Sequence, residues 1–114
     1  MPDERQAGLL RDMLDSARLI QGYMANTSRE AFFADTEKQD AVLRRFEIIG
    51  QAASRLAPET QALFPQLPFR SMRGMRNIIA HDYGEVDLAL VWQTVSADLG
   101  VLVETLEKHF AGEA

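Results

Sequence analysis

Apolar residues recur along this chain at steps of three and four, the period that lays one stripe down the face of an α-helix. Leu10, Met13, Leu14, Ala17, Ile20 and Met24 form the first stripe and predict a helix over about residues 4–25. Val42, Phe46, Ile49, Ala53 and Leu56 form the second, with Asp35 or Thr36 in position to cap it. Between the two, Thr27 and Glu30 have capping-box spacing and open a short turn containing Phe32 and Phe33. Pro58 ends the second helix or starts a short one at its first position, and Pro65 and Pro68 enforce a bend. A third long helix is expected from near Phe69, with Met72, Met75 and Ile79 turned inward and Gly84 breaking the pattern. Asp87 looks like the cap of the last helix, where Leu88, Val91, Trp92, Val95, Leu99, Leu102, Leu106 and Phe110 give the cleanest stripe. Gly100 lies inside that stripe, costs about 1 kcal/mol relative to Ala, and marks a place for a bend.

Nothing in the chain alternates like a strand. Long amphipathic helices joined by short connections predict an all-α fold: an antiparallel, up-and-down four-helix-type bundle with one or two extra short helices. At 114 residues, with no repeat, low-complexity tract or linker, residues 1–114 read as a single helical domain. The methionines, the phenylalanines and Trp92 are expected to be core residues.

Composition narrows the function. The net charge of −5 argues against a general nucleic-acid coat, which shows a basic footprint. It leaves room for a local basic pocket, where an RNA would be held by few phosphate contacts and selected by shape or a short target motif. The absence of cysteine removes disulfides, thiolate chemistry and cysteine–zinc sites together. No apolar run approaches the roughly 18 residues needed to span a bilayer. Met1-Pro2-Asp3-Glu4-Arg5 has neither the basic start nor the apolar stretch of a signal peptide. The expectation is a cytoplasmic protein without a membrane role.

The candidate chemistry is concentrated in Arg76-Asn77-Ile78-Ile79-Ala80-His81-Asp82-Tyr83. No acidic residue falls between Glu59 and Asp82, whereas Arg70, Arg73 and Arg76 all do. An arginine able to grip phosphate through two bonds, beside a histidine able to move protons near neutral pH, points to phosphodiester chemistry. Regular helical geometry places Arg73, Asn77 and His81 on one face. It splays Arg76 from His81 by roughly 140°, so a site using both requires Arg76 to lean in or the helix to loosen near His81. Gly84 makes fraying there plausible and leaves Tyr83 on the following loop. Each residue alone has a plainer role: a histidine at a helix end as a cap, arginines on a solvated face, a tyrosine as a loop anchor. Their coincidence is what favours a site.

The order Arg, four residues, His, one residue, Tyr resembles the signature of HEPN (higher eukaryotes and prokaryotes nucleotide-binding) domains, most closely the HepT-like toxin branch. The segment from Gln39 to Ala53, QDAVLRRFEIIGQAA, is similar to that branch's second-helix motif, and Asp87-Leu88-Ala89-Leu90-Val91-Trp92 to the start of its last helix. Two positions depart from it. Gln51 stands where an acidic residue is more usual, with consequences for polar contacts near the site; Arg73 adds a charge where small residues are usual, with consequences for substrate grip.

The resemblance implies a homodimeric endoribonuclease toxin that needs no metal and no other cofactor. Its implied partner is a minimal nucleotidyltransferase antitoxin that can attach AMP to the motif tyrosine. Arg76 and His81 are then the catalytic pair, Tyr83 the modified residue, and Arg73, Asn77 and Arg70 the groups that hold RNA phosphate. Asp82 and Glu85, near His81 in sequence, could in principle ligate a metal, but no set of His, Asp and Glu has convincing ligand spacing. Two other functions compete: a non-catalytic module that binds a nucleotide or a nucleotidyltransferase, and a purely structural dimerisation bundle. The last leaves the arginine–histidine–tyrosine grouping unexplained.

Overall fold

The computed structural model describes residues 2–72 and 87–112. The described chain is helical, with no strand among the described residues. α1 spans Glu4–Met24, α2 Arg29–Phe33, α3 Thr36–Ser54 and α4 Pro58–Gln61. Residues 69–72 form a further helical turn, followed by α5 at Leu88–Ala97 and α6 at Leu99–Gly112. The fold is an all-α bundle, as the hydrophobic period predicts.

Local chemistry sets the helix starts. Asp3 caps α1 by accepting a hydrogen bond from the Gln6 amide at 2.8 Å, and Asp35 caps α3 by accepting from the Lys38 amide at 3.0 Å. Pro58 opens α4 at a position where its missing N–H costs nothing. The cap of α2 differs by one residue from the sequence reading. Ser28, not Thr27, accepts from the Ala31 amide, at 3.1 Å. Thr27 instead accepts a bond from the Lys38 ammonium at 2.9 Å, which ties the start of α3 to the turn before α2. Asn26 makes that turn in the left-handed region at φ 59°, a conformation its short polar side chain tolerates.

α1 is the central helix and packs against both α3 and α6. Its stripe of Leu10, Met13, Leu14, Ala17, Ile20 and Met24 is buried, as are Val42, Phe46, Ile49, Ala53 and Leu56 of the second stripe. Both neighbours run antiparallel to α1. The Gln6 side chain reaches the end of α3, accepting from the Ala57 amide at 2.8 Å and donating to the Arg55 carbonyl. Arg18 pairs with Glu107 at 3.1 Å, while Arg11, two turns earlier on α1, lies over the Phe110 ring further along α6.

The last stripe is divided into two helices. α5 and α6 meet at Asp98 with a 41° bend, two residues before the glycine that the sequence singles out. The Thr94 hydroxyl donates to the Leu90 carbonyl at 2.8 Å, a back-bond that competes with the helical ladder and bends helices. Among the described residues no single helix is long and apolar enough to cross a membrane. α5 and α6 together have the length and composition, but the bend separates them, and Val91, Leu99, Leu102 and Leu106 are buried in the bundle.

Candidate functional site

The motif segment is framed by two described pieces of chain. Upstream, Pro68 accepts at its carbonyl from the Met72 amide at 3.0 Å, closing the helical turn that leads towards Arg73. Phe69 in that turn is buried, Met72 packs against the core, and Arg70 is exposed. Downstream, Asp87 accepts from the Ala89 and Leu90 amides at 3.0 and 3.2 Å and starts α5. Two orphan amides of that helix are thereby satisfied where the chain leaves the motif.

Both pieces border one groove of about 340 Å³. Pro68, Ser71 and Met72 contribute one wall and Leu90, Thr94 and Asp98 another, over a floor that includes Phe46 and Ile49 of α3. The chain therefore leaves and re-enters the described bundle at the same place, beside a mostly apolar surface with a hydroxyl and a carboxylate at the bend. Period and capping in the sequence do not reveal this convergence.

Of the sequence-predicted site residues, Arg70 lies among the described residues: exposed, ahead of the motif in sequence, and in no ion pair among the described residues. Arg73, Arg76, Asn77, His81 and Tyr83 lie outside the described residues, as do Met75, Ile78, Ile79, Asp82, Gly84 and Glu85. The chain's second histidine, His109, is in the last turn of α6. Its ring meets those of Phe64 and Phe110 edge-on, each with centroids 5.1 Å away. Its ring thus packs α6 against the segment that follows α4.

Comparison with known proteins bears on the same stretch. The family model described as "Ribonuclease HepT-like" matches residues 13–109, from the middle of α1 to near the end of α6, with the motif inside the match. A Thermococcus cleftensis protein named "Probable ribonuclease HepT" is 34% identical over 99 residues, covering 87% of this chain and 90% of its own. A Methanocaldococcus jannaschii protein, whose name joins gamma-glutamylcyclotransferase to a provisional RNase, is 36% identical over 99 residues. That match covers 87% of this chain but 45% of the larger protein, so this chain corresponds to under half of it. A second protein of that organism, provisionally named an RNase, is 29% identical over 108 residues, 95% of this chain and 89% of its own. No solved structure gives a significant match. The family match runs over most of the chain, and the chain belongs to the HepT-like ribonucleases, with the enzyme class of an endoribonuclease.

Proposed function

We propose that this ribonuclease is the toxin of a toxin–antitoxin pair, that it cuts RNA without a metal, and that two copies share one site. The observation that carries the reading is the segment from Arg76 to Tyr83, with its guanidinium, imidazole and phenol, in a chain of a ribonuclease family. In the proposed step the RNA 2′-oxygen attacks the adjacent phosphorus. The 2′-hydroxyl proton goes to a base, the bond from phosphorus to the 5′-oxygen breaks, and the departing 5′-oxygen takes a proton from an acid. The products are a 2′,3′-cyclic phosphate and a free 5′-hydroxyl, so atoms and charge balance without a further reactant.

His81 supplies the proton transfers, and Arg76 holds the non-bridging oxygens as negative charge builds on phosphorus. Arg73, Asn77 and Arg70 grip flanking phosphate. One protomer offers one histidine within the basic segment, because the chain's other histidine, His109, belongs to the last helix. Lysine is no substitute, since none falls between Lys38 and Lys108. A two-fold axis beside the motif would bring a second His81 and a second Arg76 to one cleft, one histidine acting as base and the other as acid. Ile78 and Ile79, with part of α3, are the apolar residues proposed for that interface. The antitoxin in this reading is a minimal nucleotidyltransferase that adenylylates Tyr83.

Incubating the purified protein with total RNA in EDTA, beside His81→Ala, tests the cleavage reading. Cleavage by the wild type that leaves cyclic-phosphate ends, with none from His81→Ala, is the expected result. Equal cleavage by both proteins would reject the role of His81.

A further inference from the structure

Five large hydrophobic side chains stand out from the described surface: Leu19, Phe33, Leu63, Leu90 and Val101. Phe33 is the aromatic one, with 40% of its surface exposed. Its backbone is also tied into the bundle. The preceding residue, Phe32, is fully buried, its ring 6.1 Å edge-on from Phe33 and 6.0 Å from Trp92 on α5. The Gln39 side-chain amide donates to the carbonyls of both phenylalanines, at 2.9 and 3.1 Å. Arg29, one turn earlier on α2, places its guanidinium carbon 5.1 Å from the Phe33 ring centroid and makes no ion pair among the described residues. Through Trp92 this aromatic pair is joined to the first turns of α5, the helix by which the chain leaves the motif.

We infer that Phe33, with Arg29, is a stacking platform for a base of single-stranded RNA substrate, outside the segment that carries the chemistry. The inference rests on the ribonuclease reading above. A partly exposed ring with a guanidinium over it offers the aromatic and cationic surfaces on which bases stack without sequence readout. The surroundings decide which part of the RNA is held. Glu30, next to Arg29 in sequence, and Glu37, in the first turn of α3, are exposed acidic groups that disfavour a phosphate track, so the base is the recognised group. The platform would prefer substrates unpaired at that position, and it accounts for grip on RNA by an acidic chain with few phosphate contacts.

The test measures binding of the full-length protein to a single-stranded 2′-O-methyl RNA oligonucleotide, which cannot undergo 2′-hydroxyl attack. A strand of the same length and backbone carrying abasic residues is the comparison. Phe33→Ala should weaken binding of the base-bearing strand roughly tenfold and leave the abasic strand unchanged. Phe33→Trp should retain wild-type affinity, Phe33→Leu should resemble Phe33→Ala, and Arg29→Ala should give a smaller loss that again requires bases. Equal losses on both strands, no loss in Phe33→Ala, or full rescue by Leu would overturn the platform while leaving the ribonuclease reading intact. Rescue by Leu would mark an apolar protein contact instead. A wild type that binds neither strand and cuts no RNA would sink both.

Discussion

Phe32 and Trp92 pack ring against ring, with centroids 6.0 Å apart and planes tilted by 36°. The contact pins the five-residue helix α2 to α5 across the bundle, and α5 is the helix that follows the motif. A helix of one turn and a half has no stability of its own, so α2 depends on this anchor. Phe32→Ala should cost about 3–5 kcal/mol, the range for emptying a fully buried phenylalanine site. Trp92→Phe keeps an aromatic partner at a partly buried position and should cost less than Phe32→Ala. Urea unfolding of the two single variants measures both, and a cycle of Phe32→Ala with Trp92→Ala, which removes each ring in turn, should give a coupling energy of roughly 0.5–1.5 kcal/mol.

Asp87 bonds to two amides at the point where the chain returns from the motif. Asp87→Ala should lower stability by about 1 kcal/mol, and Asp87→Asn or Asp87→Ser should recover most of it, since each can accept the same bonds. Thermal melts give the stability term. RNA cleavage assayed well below the melting temperature gives the functional one, with a drop in Asp87→Ala and recovery in Asp87→Ser expected if the cap also sets the exit of the motif.

Gly100 lies within α6 and has nothing within 4 Å of where a Cβ would stand. Gly100→Ala should therefore stabilise the protein by roughly 0.5–1 kcal/mol, by removing the unfolded-state freedom of a helical glycine. A rise in the urea midpoint with unchanged slope is the expected reading. A destabilised variant would mean that α6 needs a glycine there for close approach by another chain.

The sequence made the bundle legible because burial and helical period are the same signal. Leu10 to Met24 and Val42 to Leu56 are buried as their spacing predicts, and Asp35, Pro58 and Asp87 stand at helix starts because each has chemistry suited to that position. Offsets of one or two residues were not legible. Ser28 and Thr27 are equivalent as caps in a linear reading, and only the reach of Lys38 to Thr27 separates them. The bend falls at Asp98 instead of Gly100 because the Thr94 hydroxyl reaches Leu90, a contact with no compositional mark. Gln6 carries no local signal at all, since its partners at Arg55 and Ala57 are about fifty residues away. At the site, residue types and order in Arg76 to Tyr83 are properties of the sequence itself. That Pro68, Met72 and Leu90 share a groove, and that Arg29 covers Phe33, follows only from packing.

Arg76 is the group proposed to bear the charge that develops on phosphorus. Arg76→Ala should lower the cleavage rate by about 10²–10³, the usual cost of one preorganised donor. Arg76→Lys retains the charge but loses the planar fork, and should remain impaired. Single-turnover cleavage with saturating protein separates this from weakened binding. Full activity in folded Arg76→Ala would reject the role.

Tyr83 stands two residues beyond His81, and its proposed adenylylation would add a phosphate charge and a base beside the site. Co-expression with a genetically neighbouring nucleotidyltransferase, followed by intact mass measurement, should show the mass of one or more AMP groups on the wild type and none on Tyr83→Phe. The modified protein should no longer cut RNA. An inactive complex with unmodified Tyr83 would mean neutralisation by another route, such as direct occlusion.

A site shared between protomers makes a quantitative prediction about mixtures. If each protomer cuts alone, adding inactive His81→Ala chains dilutes the activity in proportion to their fraction. If the cleft needs His81 from both chains, activity follows the fraction of wild-type pairs, which falls as the square of the wild-type share. After co-refolding with a ninefold excess of His81→Ala, a shared site leaves about 1% of the undiluted activity, whereas independent sites leave about 10%. The mixture must be unfolded and refolded together so that chains exchange fully, and its mass in solution should be that of a dimer throughout. A linear fall, or a wild type that is monomeric at the assay concentration and still cuts at full rate, would place both proton transfers within one chain. His81 would then have to act twice in sequence, or water would have to protonate the leaving oxygen.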